Sequence, residues 1–305
     1  MSTHSLPGTR STTGANAAGL RQDEVRERVL MFGLSVPAIL LVVVIIGIPV
    51  GWLFWLSLFN DDGVLSTSNY TRMIEHKSYY RIFRTTFNVS FLTTIICVAI
   101  GYPFAYFLAQ LPQRWANIGL IAVLLPFWTS LLVRTYAWLV ILQRKGLINQ
   151  WGIELGLWDT PLRLVHNLNG TLIGMAHIML PFLLLPLYGS MRTIDQDYIK
   201  AASNLGASPF HAFWSIYFPL SLPGLFAGIV VVFVLCLGFF VTPAVLGGGR
   251  IIMVSMKIET IIDLFYNFGT ASALGVVLLA LTLLVLFISH KLLRLDRVLG
   301  GGTGT

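Results

Sequence analysis

Between Arg192 and Gly224 the residue types follow an order suited to mechanical work rather than bond making. The stretch reads RTIDQDYIKAASNLGASPFHAFWSIYFPLSLPG. The Asp195 carboxylate can accept from the free N–H groups at a helix start. Gly206 can take the left-handed backbone conformation that closes a helix. Ser208 followed by Pro209 is an N-cap and first-turn pair for a second helix. Pro219 and Pro223 then set the entry to an apolar run. The code is helix, tight break, helix, proline. Tyr198, Ala201, Ala202 and Leu205 share one face at helical spacing, and Phe210, Phe213, Trp214 and Tyr217 share another. The first face is small and flat, so a second surface can approach its backbone closely. The second is aromatic and is expected to bury against the rest of the chain. Such a pair suits docking into a partner's groove. Periodicity alone fits an interfacial amphipathic loop equally well.

Catalytic patterns are missing. None of the five lysines sits in a GxxxxGK[ST] phosphate loop, so ATP hydrolysis by that route is excluded. There is no HExxH zinc motif, and the six histidines are scattered singly. His177, inside an apolar run, reads as a hydrogen-bonded packing residue rather than a ligand. None of the thirteen acidic residues falls in an apolar run, whereas a proton- or sodium-coupled carrier usually places one at depth. Cys97 and Cys236 lie in apolar runs without metal-ligand spacing and read as small packing residues. Apart from Lys291 at the very end of the last run, Arg134 is the one charged residue within a run. It lies roughly 27 Å along a helix from Ala116, near the far face. There it either snorkels to the interface or acts as a gate or anchor for outer loops.

The elements that must carry these residues are strongly apolar. Hydrophobic residues make up 56% of the 305-residue chain and charged residues 11%, against about 25% charged in a soluble domain. That composition excludes a soluble enzyme, a nucleic-acid-binding domain and a disordered scaffold, and it leaves a polytopic helical membrane protein. The net charge of +7 comes without a concentrated basic stripe, so no nucleic-acid partner is expected. Six runs are long enough to cross a bilayer: 31–59, 87–111, 116–142, 171–191, 222–246 and 271–293. Residues 1–30 read as a tail, disordered from Met1 to Gly19, with a short charged surface helix from Leu20 to Leu30. Residues 31–295 form the membrane domain, and 296–305 a Gly-rich tail. Lys and Arg do not orient the chain: with the termini inside, inner segments hold ten and outer segments nine. Between Gly146 and Asn169, Leu147, Ile148, Trp151 and Leu155 fall on one helical face, which predicts a short helix in the outer interface.

The elbow resembles the signature of the membrane subunits of ATP-binding-cassette importers: Glu-Ala-Ala, three residues, Gly, nine residues, Ile, one residue, Leu-Pro. Here Lys200-Ala201-Ala202 precedes Gly206 by that gap, Ile216 follows nine residues later, and Phe218-Pro219 closes the pattern. Lys200 stands in place of Glu and Phe218 in place of Leu. A salt bridge from the first position to an ATPase is therefore not carried over. The stretches LLPFWTSLLVRTYAWLVILQRKGLINQW, LGFFVTPAVLGGGR and FGTASALGVVLL resemble the spermidine/putrescine-type branch.

The resemblance implies an all-α fold of six transmembrane helices, the type I (MetI-like) importer permease, with a cytoplasmic coupling-helix loop. It implies the bacterial inner membrane with both termini cytoplasmic. The implied partners are a second related permease, two cytoplasmic ATPase subunits that bind the ATP, and a periplasmic substrate-binding protein. The chain itself would hold no cofactor or metal and would be no enzyme. Lys200, Ala201, Ala202, Gly206, Ile216 and Pro219 would couple to the ATPase, transmitting its closure as alternating access. For a polyamine, a flexible cation, aromatic faces and carboxylates are the expected contacts. Trp128, Arg134, Tyr136, Glu259 and Asp263 are the pathway candidates, although each also suits interface anchoring or loop solvation. The same importer type could carry an opine, another amine or amino-acid derivative, or ferric iron. Two other classes are an independent secondary carrier and a membrane enzyme, for which no clustered nucleophile, base or metal ligands exist.

Overall fold

The computed structural model describes residues 13–60 and 63–300; the side chains of 13–32, 34 and 292–300 lie outside that description. The described regular structure is helical, apart from one isolated bridge between Phe59 and Leu65. In chain order the helices are α1 (Thr13–Ser57), α2 (Ser68–Glu75), α3 (Lys77–Gln110), α4 (Gln113–Leu124), α5 (Leu131–Ile141), α6 (Leu147–Glu154) and α7 (Leu168–Arg192). There follow α8 (Gln196–Asn204), α9 (Pro209–Ala212), α10 (Phe218–Leu237), α11 (Val241–Leu246), α12 (Val254–Phe265) and α13 (Phe268–Gly300). A 3₁₀ turn, Leu125–Trp128, follows α4, and a π-turn, Phe213–Tyr217, joins α9 to α10.

Residues through Trp55 form one unit and those from Leu56 a second. The described residues of the first belong to the helix α1, which already includes residues 13–30, expected from the sequence to be tail and surface helix. Its stretch Ser35–Ser57 is long and apolar enough to cross a membrane. Residues 1–12 and 301–305 of the expected tails lie outside the described residues.

In the second unit α7 is the central element, packed between α3 and α10. Its buried stripe includes Met175, Met179, Leu183 and Leu187. Without a hydrophobic drive between helices in lipid, close backbone approach and shape must hold the bundle together. Gly228 supplies the approach: a Cβ there would stand 2.9 Å from the Leu183 carbonyl oxygen. Cys97 and Cys236 are fully buried in this core, as their apolar context predicts. The Cys97 Sγ donates to Ala176 O at 3.6 Å.

Among the described residues, five helical segments can cross a membrane by length and composition: Ser35–Ser57, Lys77–Gln110, Leu168–Arg192, Pro209–Leu237 and Phe268–Lys291. The expected third span differs. It bends by 98° between Gln113–Trp128 and Leu131–Ile141. Pro126 has no N–H to continue an α-ladder, and the chain tightens there into the 3₁₀ turn. Thr129 then donates its hydroxyl to Pro126 O at 2.6 Å, and Ser130 takes an extended ψ of 138°. Arg134 therefore does not sit 27 Å along a straight helix. The fifth span also differs, since α10 ends at Leu237 and α11 is a separate turn of helix. Of the carbonyls freed by that break, Phe239 O is satisfied by the Ser255 hydroxyl at 2.8 Å.

Candidate functional site

The elbow begins at α8, where the Asp195 carboxylate accepts from the Asp197 N–H at 2.9 Å. Asp195 and Asp197 also place negative charge where the helix dipole favours it. At the other end the N–H of Ala207 reaches Ala202 O and the N–H of Gly206 reaches Ser203 O, both at 3.0 Å. That reciprocal pair is a Schellman closure. It requires the left-handed conformation at Gly206, whose φ is +86°. A Cβ at 206 would meet nothing within 4 Å, so the constraint is conformational, not steric. Ser208 then caps α9 by accepting from the His211 N–H at 3.3 Å, with Pro209 at the first position.

Beyond this point the helix continues. Pro219 and Pro223, expected to set the entry to the apolar run, do not interrupt it: Pro209 to Leu237 is one helical stretch. Pro219 offers no donor, and its ring would crowd the Ser215 carbonyl in a regular α-helix. The π-turn relieves this by widening the preceding turn, where the Phe218 N–H bonds Phe213 O. The turn also points its aromatics at α3. Tyr106 packs edge-on to Phe213 (5.3 Å) and Tyr217 (4.9 Å), and Tyr102 packs against Phe213 and Phe218. The Tyr102 hydroxyl shares a 3.0 Å hydrogen bond with Ser221, which is fully buried. Only the Phe213–Tyr217 side of the aromatic stripe is packed away; Phe210 and Trp214 stay exposed.

A further tie was not legible in the motif. Arg192, in the last turn of α7, donates to Ala109 O (2.9 Å) and Leu111 O (3.2 Å), carbonyls at the end of α3. The only signal was a basic residue at a helix end, where guanidinium groups can satisfy unpaired carbonyls. The elbow is thus fixed at its base by Arg192 and at its exit by the tyrosines of α3.

The six motif residues do not share one surface. Lys200, Ala201, Gly206 and Pro219 are exposed, Ile216 is half-buried, and Ala202 is buried. The outward face is completed by Tyr198, Leu205 and Phe210, with Leu205 88% exposed. Lys200 Nζ lies 2.8 Å from Asp197 Oδ1. That hydrogen bond and the nearby carboxylate charges hold the ammonium's pKa above its ordinary value.

The pathway candidates separate into two groups. Trp128 ends the 3₁₀ turn, and Arg134 and Tyr136 lie on α5, which packs on α11 and α7. Glu259 and Asp263 form an exposed pair on α12, which packs on α13 and α3. Arg134 stands over the Phe127 ring at 5.5 Å. Thr135 and Thr242 share a buried contact at 3.3 Å that joins α5 to α11. His177 packs edge-on to Trp138 as expected of a packing residue, but its Nδ1 is buried without the expected hydrogen-bond partner. Among the described residues no group of three or more His, Cys, Asp or Glu could hold a metal ion.

Residues 11–296 match the family model for the binding-protein-dependent transport system inner membrane component. The chain is 33% identical over 234 residues to the spermidine/putrescine transport system permease protein PotB of Escherichia coli, covering 76% of this chain and 85% of that one. It is 34% identical over 233 residues to the PotB of Haemophilus influenzae, covering 75% and 81%. Among solved structures it resembles a chain of a bacterial alginate ABC transporter in complex with an alginate pentasaccharide-bound periplasmic protein. That match has a TM-score of 0.69 at 14% identity and covers 93% of this chain and 99% of that one. It also resembles a chain of the MetNI methionine ABC transporter in inward-facing conformation, with a TM-score of 0.53 at 17% identity, covering 70% and 94%. Both likenesses are of fold.

Proposed function

The chain belongs to the family of binding-protein-dependent transport system inner membrane components, and from that premise we propose that it conducts a polyamine inward as one permease of an ATP-driven importer. The observation that carries this reading is the elbow: a capped helix with an exposed face, fixed by Arg192 and by the tyrosines of α3 to two helices of the membrane bundle. A push on α8 is delivered to α3 and α10 as rigid-body motion rather than absorbed in a loose loop. The polyamine class is supported by relatives named for spermidine and putrescine that match across three-quarters of the chain.

On this reading α8 faces the cytoplasm and docks to an ATPase subunit through Lys200, Ala201, Gly206 and Pro219, with Ala202 and Ile216 packed behind them. Both termini are then cytoplasmic. A second permease completes the pathway, and a periplasmic binding protein delivers substrate. The alginate transporter, solved in complex with its substrate-bound periplasmic protein, supports that last assignment by likeness of fold. ATP is bound by the ATPase partners and not by this chain. Trp128, Arg134 and Tyr136 line the pathway from one side and Glu259 and Asp263 from another, the carboxylates attracting the cationic substrate.

The test is reconstitution of the chain with its sister permease, ATPase and binding protein. Spermidine with the loaded binding protein stimulates ATP hydrolysis, and omitting the ATPase abolishes uptake. Ion-gradient-driven uptake by the chain alone would overturn the importer reading. Asp263→Asn raises the KM for spermidine uptake several-fold and leaves ATPase assembly intact; unchanged uptake kinetics would remove Asp263 from the pathway.

A further inference from the structure

A second built region lies at the opposite end of α7 from the elbow. A cavity of about 540 Å³ is lined by residues 142–144, 163–167, Gly248 and Arg250. Arg144, Arg163 and Arg250 stand on three different loops, and none of their guanidinium groups has a hydrogen-bond or ion-pair partner among the described residues. No acidic residue lines the cavity. Three unpaired guanidinium groups around one concavity repel a polyamine and favour an anion.

The walls are held from several sides. Asn149, fully buried on α6, donates its amide to Gln143 O and to Leu162 O, each at 3.0 Å, and accepts from the Leu162 N–H at 2.8 Å. It thereby clamps the residues adjacent to Arg144 and Arg163. The third loop approaches at Gly248, where a Cβ would stand 2.5 Å from the His166 Cβ. Both residues at that contact have positive φ: +56° at Gly248 and +59° at His166. Left-handed backbone at a non-glycine residue is costly and is kept where the surroundings over-determine it.

The helix α6, which begins three residues after Arg144 and carries Asn149, is apolar on its exposed side: Leu147, Trp151 and Leu155, on or just beyond it, are exposed, with Leu155 73% exposed. An exposed Leu/Trp surface next to a cationic cavity matches the boundary between acyl chains and headgroups, where Trp is enriched. It also accounts for the failure of the positive-charge rule to orient this chain, since three of the nine basic residues on that side are gathered here.

We propose that the cavity holds the phosphodiester of an anionic phospholipid, with Arg144, Arg163 and Arg250 contacting the phosphate and the acyl chains lying along α6. Asn149 and Gly248 are positioning residues. The inference rests on the chain's spanning a membrane and not on its substrate.

The test is native mass spectrometry of the purified full chain, incubated with phosphatidylglycerol or phosphatidylcholine of matched acyl chains. The wild-type chain retains phosphatidylglycerol in preference, and the combined Arg144→Gln, Arg163→Gln, Arg250→Gln variant loses that retention about tenfold. Lys145→Gln, a neighbouring cation outside the cavity, leaves it unchanged. Arg163→Lys, a milder change, lowers retention partially and covers the case in which the triple variant does not fold. Unchanged retention in both variants would overturn the proposal. So would displacement of the lipid by millimolar inorganic phosphate, which would mark a free-anion site. Loss of affinity for the cognate binding protein with lipid retention intact would assign the surface to a protein instead. None of these readouts depends on transport, so failure here and failure of the importer reading are distinguishable.

Discussion

The elbow and the arginine-lined cavity are built by opposite strategies at the two ends of α7. The elbow's shape is local. Asp195, Gly206 and Ser208 each act on backbone within three residues of themselves. The cavity's shape is distant: Asn149 bridges backbone thirteen residues away at Leu162, and Gly248 meets His166 from another part of the chain. A locally coded element can move as a unit, because its internal hydrogen bonds do not change when its neighbours shift. An element assembled from three loops holds its form only while those loops stay together. Mechanical transmission suits the first, and a standing anchor suits the second.

The sharpest way to break this comparison is at Gly206. Gly206→Val places a β-branched residue at φ +86°, a conformation costing about 1–2 kcal/mol for an ordinary L-residue and more for a branched one. The Schellman closure opens, and α8 loses its angle to α9. ATP-driven uptake should fall more than about tenfold with membrane insertion unchanged, and Gly206→Asn, which tolerates the left-handed region, should restore much of it. Equal loss in both variants would point to a steric contact with a partner rather than to backbone conformation. Full transport by a stably expressed Gly206→Val chain would remove the elbow from the mechanism.

What could be read from the sequence follows the same division. Asp195, Gly206 and the Ser208-Pro209 pair announced the breaks in α8 and α9 because capping chemistry is decided by nearest neighbours. The short helix at Leu147 was legible from periodicity. The 98° bend after Pro126 was not, since a proline in a membrane helix fits either a mild kink or a full turn, and tertiary contacts decide. The π-turn before Pro219 was not legible either, because a proline signals the loss of one hydrogen bond but not how the helix absorbs it. Nothing marked Arg144, Arg163 and Arg250 as a group. They are spread over more than one hundred residues of sequence, and the Asn149 that aligns two of them looked like any polar residue of a short surface helix.

Asn149→Ala attacks the cavity as Gly206→Val attacks the elbow. It removes three part-buried hydrogen bonds and takes the side-chain partner from the Leu162 N–H and C=O, while Gln143 O keeps the Gly146 N–H. The expected cost is about 2–3 kcal/mol, concentrated in the loops around the cavity. Hydrogen exchange should quicken across residues 143–167 while α8 remains protected as before. Quickening in α8 of the same size would show that the two ends are coupled, which would contradict their separate construction.

The smallest effect is expected at Lys200, and it sharpens what the elbow transmits. Its ammonium is already bonded to Asp197 within α8, and the pair is largely exposed. A raised pKa means that the pair's contribution is fully present below the ordinary lysine range and is lost as pH rises through the higher folded value. Transport should therefore show no dependence on this group between about pH 6 and 8. Exposed pairs of this kind contribute little to stability. If α8 docks by shape, through Ala201, Leu205 and the backbone at Gly206, then Lys200→Ala leaves ATP-driven uptake within about twofold of wild type, in line with that weak pairing. A tenfold fall would show that the ammonium leaves Asp197 to reach an acidic partner surface. The charge reversal at this position would then be a device for choosing the ATPase rather than a tolerated change.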